Sequence, residues 1–204
     1  MLNLAIFVSG RGSNLISIFN AIKRKEINAS VKAVVSNKIN CPAIKFALKN
    51  QIKVFFVSEK EKKEFINFEH LKKQFLSDKI DLIVLAGFMK KIPAEFVEQF
   101  DNKIINIHPA LLPSFGGEGM FGMNVHKAVF NKSCKVSGAT VHFVNNKYDD
   151  GMIIFQKAVD ISGLSSPEEI AKKVLKIEHK ILPFVLKKFA EHKVKEVNNR
   201  IIIE

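Results

Sequence analysis

Short apolar runs alternate with helical patterns along the first half of the chain. The runs are rich in β-branched residues and almost continuously apolar, which is typical of strands in a sheet covered on both faces. The segments between them carry apolar residues at helical spacing, and this alternation predicts parallel strands joined by right-handed crossovers. The predicted strands span 2–8, 31–35, 53–57, 81–86 and 103–107, and the predicted helices span 14–25, 41–50, 60–77 and a shorter 93–100.

The pattern changes after residue 135. Two consecutive strand-like runs, KVSGATVHFV (135–144) and MIIFQKAVDI (152–161), are separated by the polar turn NNKYDDG, which predicts a hairpin. A long helix is predicted over 167–191, because SSPEE supplies a serine cap, a proline in the first turn and two acids near the positive helix end. Short runs follow at 194–197 and 200–203.

These elements together predict an α/β fold. We expect one domain over residues 1–204, a Rossmann-like and mostly parallel sheet with helices on both faces, extended by a C-terminal hairpin and long helix. The apolar fraction of 47% is sufficient for a packed core. No apolar stretch approaches the roughly 20 residues that span a bilayer. The N-terminal MLNLAIFVSGRG leads straight into a glycine loop, which indicates a first strand and not a signal peptide.

The net charge of +12 raises the question of a nucleic-acid partner. Only three of the 32 basic residues are arginines, Arg11, Arg24 and Arg200, and the lysines are spread over nearly every segment. Because arginine is the usual reader of bases and bidentate binder of phosphate, we expect a lysine-rich solvated surface and no nucleic-acid partner. Cys41 and Cys134 form no CxxC pair, and we expect reduced thiols in a cytoplasmic protein.

The loop after the first strand, from Gly10 to Asn14, has the composition of an anion site. Small residues allow backbone N–H groups to approach a phosphate at the start of a helix. A dinucleotide fingerprint would need a third glycine where Leu15 stands, and an acid where Val35, Ser36 and Asn37 end the second strand. The motif GxxxxGK[ST] is also absent, so the loop predicts a smaller phosphorylated ligand.

Asn106 and His108 stand at the end of the fifth predicted strand. Side chains two residues apart share one face of a strand, at about 6.6 Å along it, and ligands bind at the carboxyl ends of parallel strands. Histidine can donate a proton and asparagine a hydrogen bond, which suits a carbonyl carbon under attack. No GxSxG elbow or neighbouring cysteine supplies a nucleophile, which favours direct transfer to a substrate. Asp149 and Asp150 are both candidates for a carboxylate that pairs with His108.

Five motifs that occur in order resemble those of the phosphoribosylglycinamide formyltransferases of purine biosynthesis. The resemblance covers about residues 3–190 and rests on SGRGSNL, DLIVLAGFMKKIP, IINIHPALLPSF, VHFVNNKYDDG and KIEH. It implies transfer of a formyl group from 10-formyltetrahydrofolate to the amino group of glycinamide ribonucleotide, without a metal. By the same motifs, Asn106 and His108 would stabilise and protonate a tetrahedral intermediate. Asp149 would keep His108 protonated and help to relay protons through water.

The resemblance also implies two sets of binding residues. The contacts to glycinamide ribonucleotide would be Gly12, Ser13, Asn14, Leu175, Lys176, Ile177 and Glu178. The folate contacts would be Lys63, Met89, Lys90, Lys91, Ile92, Asn106, Asn145, Asn146, Lys147 and Tyr148. The stretch FGGEGMFGMNVH (115–126) is longer than the usual loop before a histidine-bearing helix, and the lysines at 90 and 91 replace a frequent arginine.

Several alternatives stay open. Methionyl-tRNA formyltransferase shares the folate-side architecture, but normally adds a C-terminal nucleic-acid-binding domain, and formyltetrahydrofolate hydrolase normally adds an N-terminal regulatory domain; we expect neither here. A non-catalytic module would instead bind RNA in a salt-sensitive way and tolerate changes at Asn106 or His108. His142 is either a support of the site or purely structural. The remaining histidines show no HExxH or paired-cysteine spacing, so we expect no metal. We also expect small-molecule substrates, no membrane partner, and a monomer or homodimer.

Overall fold

The computed structural model describes residues 1–59 and 62–204, which form two compact units, Met1–Ile105 and Asn106–Glu204. The first unit alternates strands and helices, as predicted. Its elements are β1 (Leu2–Val8), α1 (Ser13–Lys23), β2 (Ala29–Ser36), α2 (Pro42–Lys49), β3 (Lys53–Phe56), α3 (Phe68–Ser77), β4 (Leu82–Leu85), α4 (Ala94–Gln99) and the first residues of β5 (Ile104–His108).

Strand β1 lies between β2 and β4 in the first unit. It pairs in parallel with both, and β2 pairs in parallel with β3, which confirms the predicted parallel strands. Five consecutive residues of β1, Leu4 to Val8, have no solvent exposure. Because successive side chains of a strand point to opposite faces, this burial means that both faces of β1 are covered.

Phenylalanine rings hold α3 and α4 against β1. Phe7, Phe75 and Phe96 meet edge to face, with centroids 6.1 to 6.3 Å apart. Such pairs contribute about 0.5–1.5 kcal/mol each beyond the area that they bury. Phe75 is fully buried, whereas Phe65 and Phe68 are half-buried.

The helix predicted over 60–77 begins later, at Phe68. Its first two predicted residues, 60 and 61, lie outside the described residues. Lys62, Phe65 and Ile66 take part in isolated β-bridges instead, with a turn at 63 and 64. Asn67 is the N-cap, and its side-chain oxygen accepts the backbone N–H three residues later. The cap and the bridges therefore place the start of the helix at Phe68, although apolar residues at helical spacing also occur before it in the sequence.

The second unit contains the predicted hairpin and long helix. β6 and β7 pair antiparallel, and the strands hydrogen-bond in the order β3-β2-β1-β4-β5-β6-β7, which confirms the α/β class. The prediction of a single domain stays a prediction. The elements are the end of β5, α5 (Met123–Asn131), β6 (Val136–Phe143), β7 (Ile153–Asp160), α6 (Pro167–Ala190), and the antiparallel pair β8 (Val194–Val197) and β9 (Arg200–Ile203).

Helix α6 begins as its sequence predicts. The hydroxyl of Ser166 accepts the N–H of Glu169, and Pro167 occupies the first turn. Its buried side chains recur every three or four residues and contact β6, β7 and α5. No helix within residues 1–59 or 62–204 combines the length and apolarity that crossing a bilayer requires.

Candidate active site

Asn106 and His108 lie on β5 at the start of the second unit. His108 is 3% exposed and Asn106 is half-buried, on either side of the buried Ile107. Their spacing of two places both side chains on the same face of the strand. The sequence-based prediction of a polar pair at this strand end is therefore consistent with the observed burial.

Asp149 in the turn between β6 and β7 joins this pair. Its Oδ2 lies 3.5 Å from Nδ1 of His108, and its Oδ1 lies 3.5 Å from Nδ2 of Asn106. Asp149 has a φ of 52°, in the left-handed region that aspartate tolerates better than most residues. Asp150 is exposed and contacts Asn145 instead, so the structure selects Asp149 of the two candidates.

His142 on β6 is the fourth polar residue of the cluster, and it supports Asn106. Its Nδ1 lies 2.7 Å from the carbonyl oxygen of Phe143, and a carbonyl can only accept, so Nδ1 carries the proton. With this proton on Nδ1, Nε2 accepts from Nδ2 of Asn106 at 3.1 Å, and it also lies 3.6 Å from Oδ1 of Asp149. This contact orients the amide of Asn106. The second N–H of that amide has only the long contact to Asp149.

The same reasoning fixes the tautomer of His108. Its Nε2 lies 2.8 Å from the carbonyl oxygen of Phe115 and must donate to it. Nδ1 is then the ring atom that can gain or lose a proton, and it faces Asp149. On the other side, the N–H of Gly117 donates to Oδ2 of Asp149 at 2.9 Å.

Burial sets the direction of both pKa shifts. It lowers the pKa of His108 below 6.5, although the charge of Asp149 and the Phe115 carbonyl partly oppose the shift. Burial alone would raise the pKa of Asp149, but contacts with His142, His108 and the N–H of Gly117 hold that pKa below 3.8. Burial and the carboxylate of Asp149 therefore act on the pKa of His108 in opposite directions. The resemblance implied that Asp149 keeps His108 protonated, and the charge of Asp149 does raise the pKa of His108, against the larger effect of burial.

A further histidine, His126 on α5, lies within electrostatic reach of His108. It is 5% exposed, and its Nδ1 has no hydrogen-bond partner among the described residues. Burial, reinforced by His108, lowers the pKa of His126 to about 4. Sequence spacing gave no signal for this contact. No group of three or more metal-binding side chains occurs in the described part of the chain.

The glycine loop in the first unit precedes α1. Gly12 has a φ of 74°, and a Cβ there would lie 2.5 Å from Cβ of Ala43. This position therefore admits only glycine without strain. Ser13 begins the helix and Asn14 is buried in its first turn. The three residues predicted to bind phosphate thus lie at a helix N-terminus, as the sequence indicated.

Ser9, immediately before this loop, was not singled out from sequence. Its hydroxyl donates to Oδ1 of Asn37 at 2.6 Å and accepts the backbone N–H of Met89 at 2.8 Å. The one hydroxyl therefore connects the segments that follow β1, β2 and β4. No sequence signal distinguishes this serine, because its partners are about 30 and 80 residues away.

The remaining predicted binding residues are one separate lysine and three segments of different exposure. Lys63, Met89, Lys90 and Lys91 are exposed and Ile92 is buried. The turn residues Asn145, Asn146, Lys147 and Tyr148 are all exposed. On α6, Lys176 is exposed, Leu175 is half-buried, and Ile177 and Glu178 are buried.

Comparison with known proteins places this geometry in a family. A family model described as formyl transferase matches residues 2–186. The chain is 41% identical over 194 residues to the chloroplastic phosphoribosylglycinamide formyltransferase of Arabidopsis thaliana, covering 94% of this chain and 66% of that protein. It is 36% identical over 188 residues to the phosphoribosylglycinamide formyltransferase of Bacillus subtilis, covering 92% of this chain and 94% of that protein.

A solved structure shows the same fold. The phosphoribosylglycinamide formyltransferase from Anaplasma phagocytophilum superposes with a TM-score of 0.88 at 32% identity, covering 99% of this chain and 93% of that one. The chain spans just under two thirds of the length of the Arabidopsis relative. The family model nevertheless covers most of the chain, and the protein therefore belongs to the formyl transferase family.

Proposed function

We propose that the protein transfers a formyl group from 10-formyltetrahydrofolate, as co-substrate, to the amino group of glycinamide ribonucleotide. The observation that supports this proposal is the convergence of Asn106, His108 and Asp149. The carboxylate of Asp149 lies 3.5 Å from Nδ1 of His108 and 3.5 Å from Nδ2 of Asn106. These groups match a reaction in which negative charge grows on a carbonyl oxygen while a proton moves between two nitrogens.

In the proposed reaction, the amine nitrogen of the acceptor attacks the formyl carbon, and the carbonyl electron pair moves to oxygen. Nδ2 of Asn106 stabilises this oxygen through the N–H that His142 does not hold. Nδ1 of His108 takes the proton that the attacking amine loses, and Asp149 stabilises the imidazolium. The proton then passes to the folate nitrogen as its bond to carbon breaks. No covalent enzyme intermediate is needed, since the acceptor is itself the nucleophile.

The surroundings of His108 support this order of events. A ring whose pKa lies below 6.5 can accept a proton at neutral pH, and the adjacent carboxylate favours the charged product. The hydrogen bond from Nε2 to the carbonyl of Phe115 keeps Nε2 protonated throughout. Asp149 remains ionised, because its pKa is held below 3.8.

The assignment of binding residues belongs to the same proposal. Gly12, Ser13 and Asn14 would hold the phosphate of glycinamide ribonucleotide, and the segment Leu175–Glu178 would hold its remaining groups. The folate set implied by the resemblance would bind the donor. We also propose a cytoplasmic location, which the unpaired thiols of Cys41 and Cys134 support.

A formyl-transfer assay with two acceptors tests this function. We expect product with glycinamide ribonucleotide and none with formylatable tRNA, and the opposite result would assign the alternative acceptor. His108→Ala and Asp149→Asn should each lower kcat by about 10²–10⁴-fold, because proton transfer is lost. Asp150→Asn is the matched control, since this exposed neighbour makes no contact with His108 in the structure. Equal activities in all three variants would refute the proton chemistry.

A further inference from the structure

The segment 115–117 of the loop between β5 and α5 contacts both members of the proton-transfer pair through the main chain of its first and last residues. The carbonyl oxygen of Phe115 accepts from Nε2 of His108 at 2.8 Å. The N–H of Gly117 donates to Oδ2 of Asp149 at 2.9 Å. Both contacts come from residues with positive φ, 56° at Phe115 and 96° at Gly117. Such a pair of left-handed residues turns a carbonyl and an N–H towards neighbouring groups.

Gly116, between these two residues, is constrained by space and not by its backbone conformation. A Cβ at this position would lie 2.5 Å from Cδ2 of Leu112 and 3.1 Å from Cβ of Asp149. Both distances are shorter than an ordinary van der Waals contact. A side chain at 116 must therefore displace Leu112, Asp149 or the loop itself.

The side chain of Leu112 has little room to move, because it is only 5% exposed and its main chain is held on both sides. Its N–H donates to Oγ1 of Thr140 at 3.1 Å, and its carbonyl accepts from Nε2 of Gln156 at 2.8 Å. Thr140 is fully buried on β6, and it also donates to the carbonyl of Ala110. A methyl group at 116 therefore presses on Cδ2 of Leu112 and, at 3.1 Å, on Cβ of Asp149.

We propose that residues 115–117 position the pair His108 and Asp149, with Gly116 as the positioning residue. The expected effect on kcat rests on the proposed function, whereas the contacts of this loop with His108 and Asp149 do not depend on it. The Phe115 carbonyl selects the tautomer of His108 that leaves Nδ1 free to exchange a proton. The Gly117 N–H holds Oδ2 beside that nitrogen and leaves Oδ1 towards Asn106 and His142. The titratable groups that face the pair are His142 and, beside His108, His126.

The variant Gly116→Ala tests the proposal, with Gly163→Ala as the matched control. Gly163 lies in the turn between β7 and α6, and a Cβ there has no heavy atom within 4 Å. We expect Gly116→Ala to lower kcat about 10-fold, while KM for both substrates changes less than about threefold. A misplacement of about 1 Å can cost about 100-fold, and the contact with Asp149 requires a smaller shift. Gly163→Ala should retain the wild-type kcat.

Imidazole ¹⁵N NMR measures the tautomer of His108, which would not change if residues 115–117 only stabilised the fold. Wild-type His108 should show the Nε2–H tautomer at pH 7.5, and Gly116→Ala should add the Nδ1–H form. A wild-type kcat in Gly116→Ala would overturn the proposal, and so would a loss confined to KM with the tautomer unchanged. If Gly116→Ala does not fold, the wild-type spectrum decides, because an Nδ1–H tautomer of His108 contradicts the Phe115 contact. Absence of formyl transfer by the wild type would refute the proposed function alone, since the spectra still test the loop.

Discussion

The buried His126 should make the stability of the protein depend on pH in a window that its pKa defines. An unfolded histidine titrates near 6.5, whereas burial lowers the pKa of His126 to about 4 in the folded protein. Between these values the unfolded state binds a proton that the folded state does not. The free energy of unfolding therefore falls as pH falls through this window, and the contribution of His126 is fully present only above pH 6.5.

The expected size follows from the two pKa values. A shift of one unit corresponds to about 1.4 kcal/mol, so the complete effect of His126 is roughly 3 kcal/mol below pH 4. Between pH 7 and pH 5 the linkage relation gives a loss of about 2 kcal/mol. The orphaned Nδ1 of His126 is consistent with this direction, because nothing in the described structure stabilises its protonated form by hydrogen bonding.

Replacing His126 with leucine tests the calculation. The loss of unfolding free energy between pH 7 and pH 5 should be about 2 kcal/mol smaller in His126→Leu than in the wild type. Urea unfolding followed by far-UV circular dichroism is suitable, since the chain contains no tryptophan. His192→Asn serves as the surface control, because His192 is exposed and asparagine tolerates its φ of 57°. The same pH dependence in His126→Leu and wild type would refute the assigned burial of a neutral imidazole.

Two further outcomes are expected from the loop and the long helix. Gly12→Ala places a methyl group 2.5 Å from Cβ of Ala43 at a positive φ, and should raise KM for glycinamide ribonucleotide roughly tenfold, since left-handed strain costs about 1–2 kcal/mol. Steady-state kinetics should show a much smaller change for the folate donor, and equal changes would contradict the phosphate assignment. Ser166→Ala removes the acceptor for the N–H of Glu169 and should lower the free energy of unfolding by about 1 kcal/mol. An unchanged urea midpoint would show that the cap does not stabilise α6.

The local features of the chain were predictable from sequence. The strands and the long helix lie within a few residues of their predicted bounds, because hydrophobic periodicity and capping act over a few neighbouring residues. The start of α3 at Phe68 is the exception, since Asn67 and backbone pairing upstream outweighed the apolar spacing. Asn106 and His108 could be paired from sequence because the two-residue period of a strand is itself local.

The partners of this pair depend on the tertiary structure. Asp149 and Asp150 are the same residue type and neighbours in the sequence. Only the left-handed turn at Asp149 directs one of the two carboxylates towards His108. The support that His142 provides depends on the pairing of β6 in the sheet, which brings together residues 36 apart. The Phe115 carbonyl and the Gly117 N–H have no side-chain signature at all. The sequence alone thus determined which groups can do chemistry, whereas their protonation states required the distances and burial that folding creates.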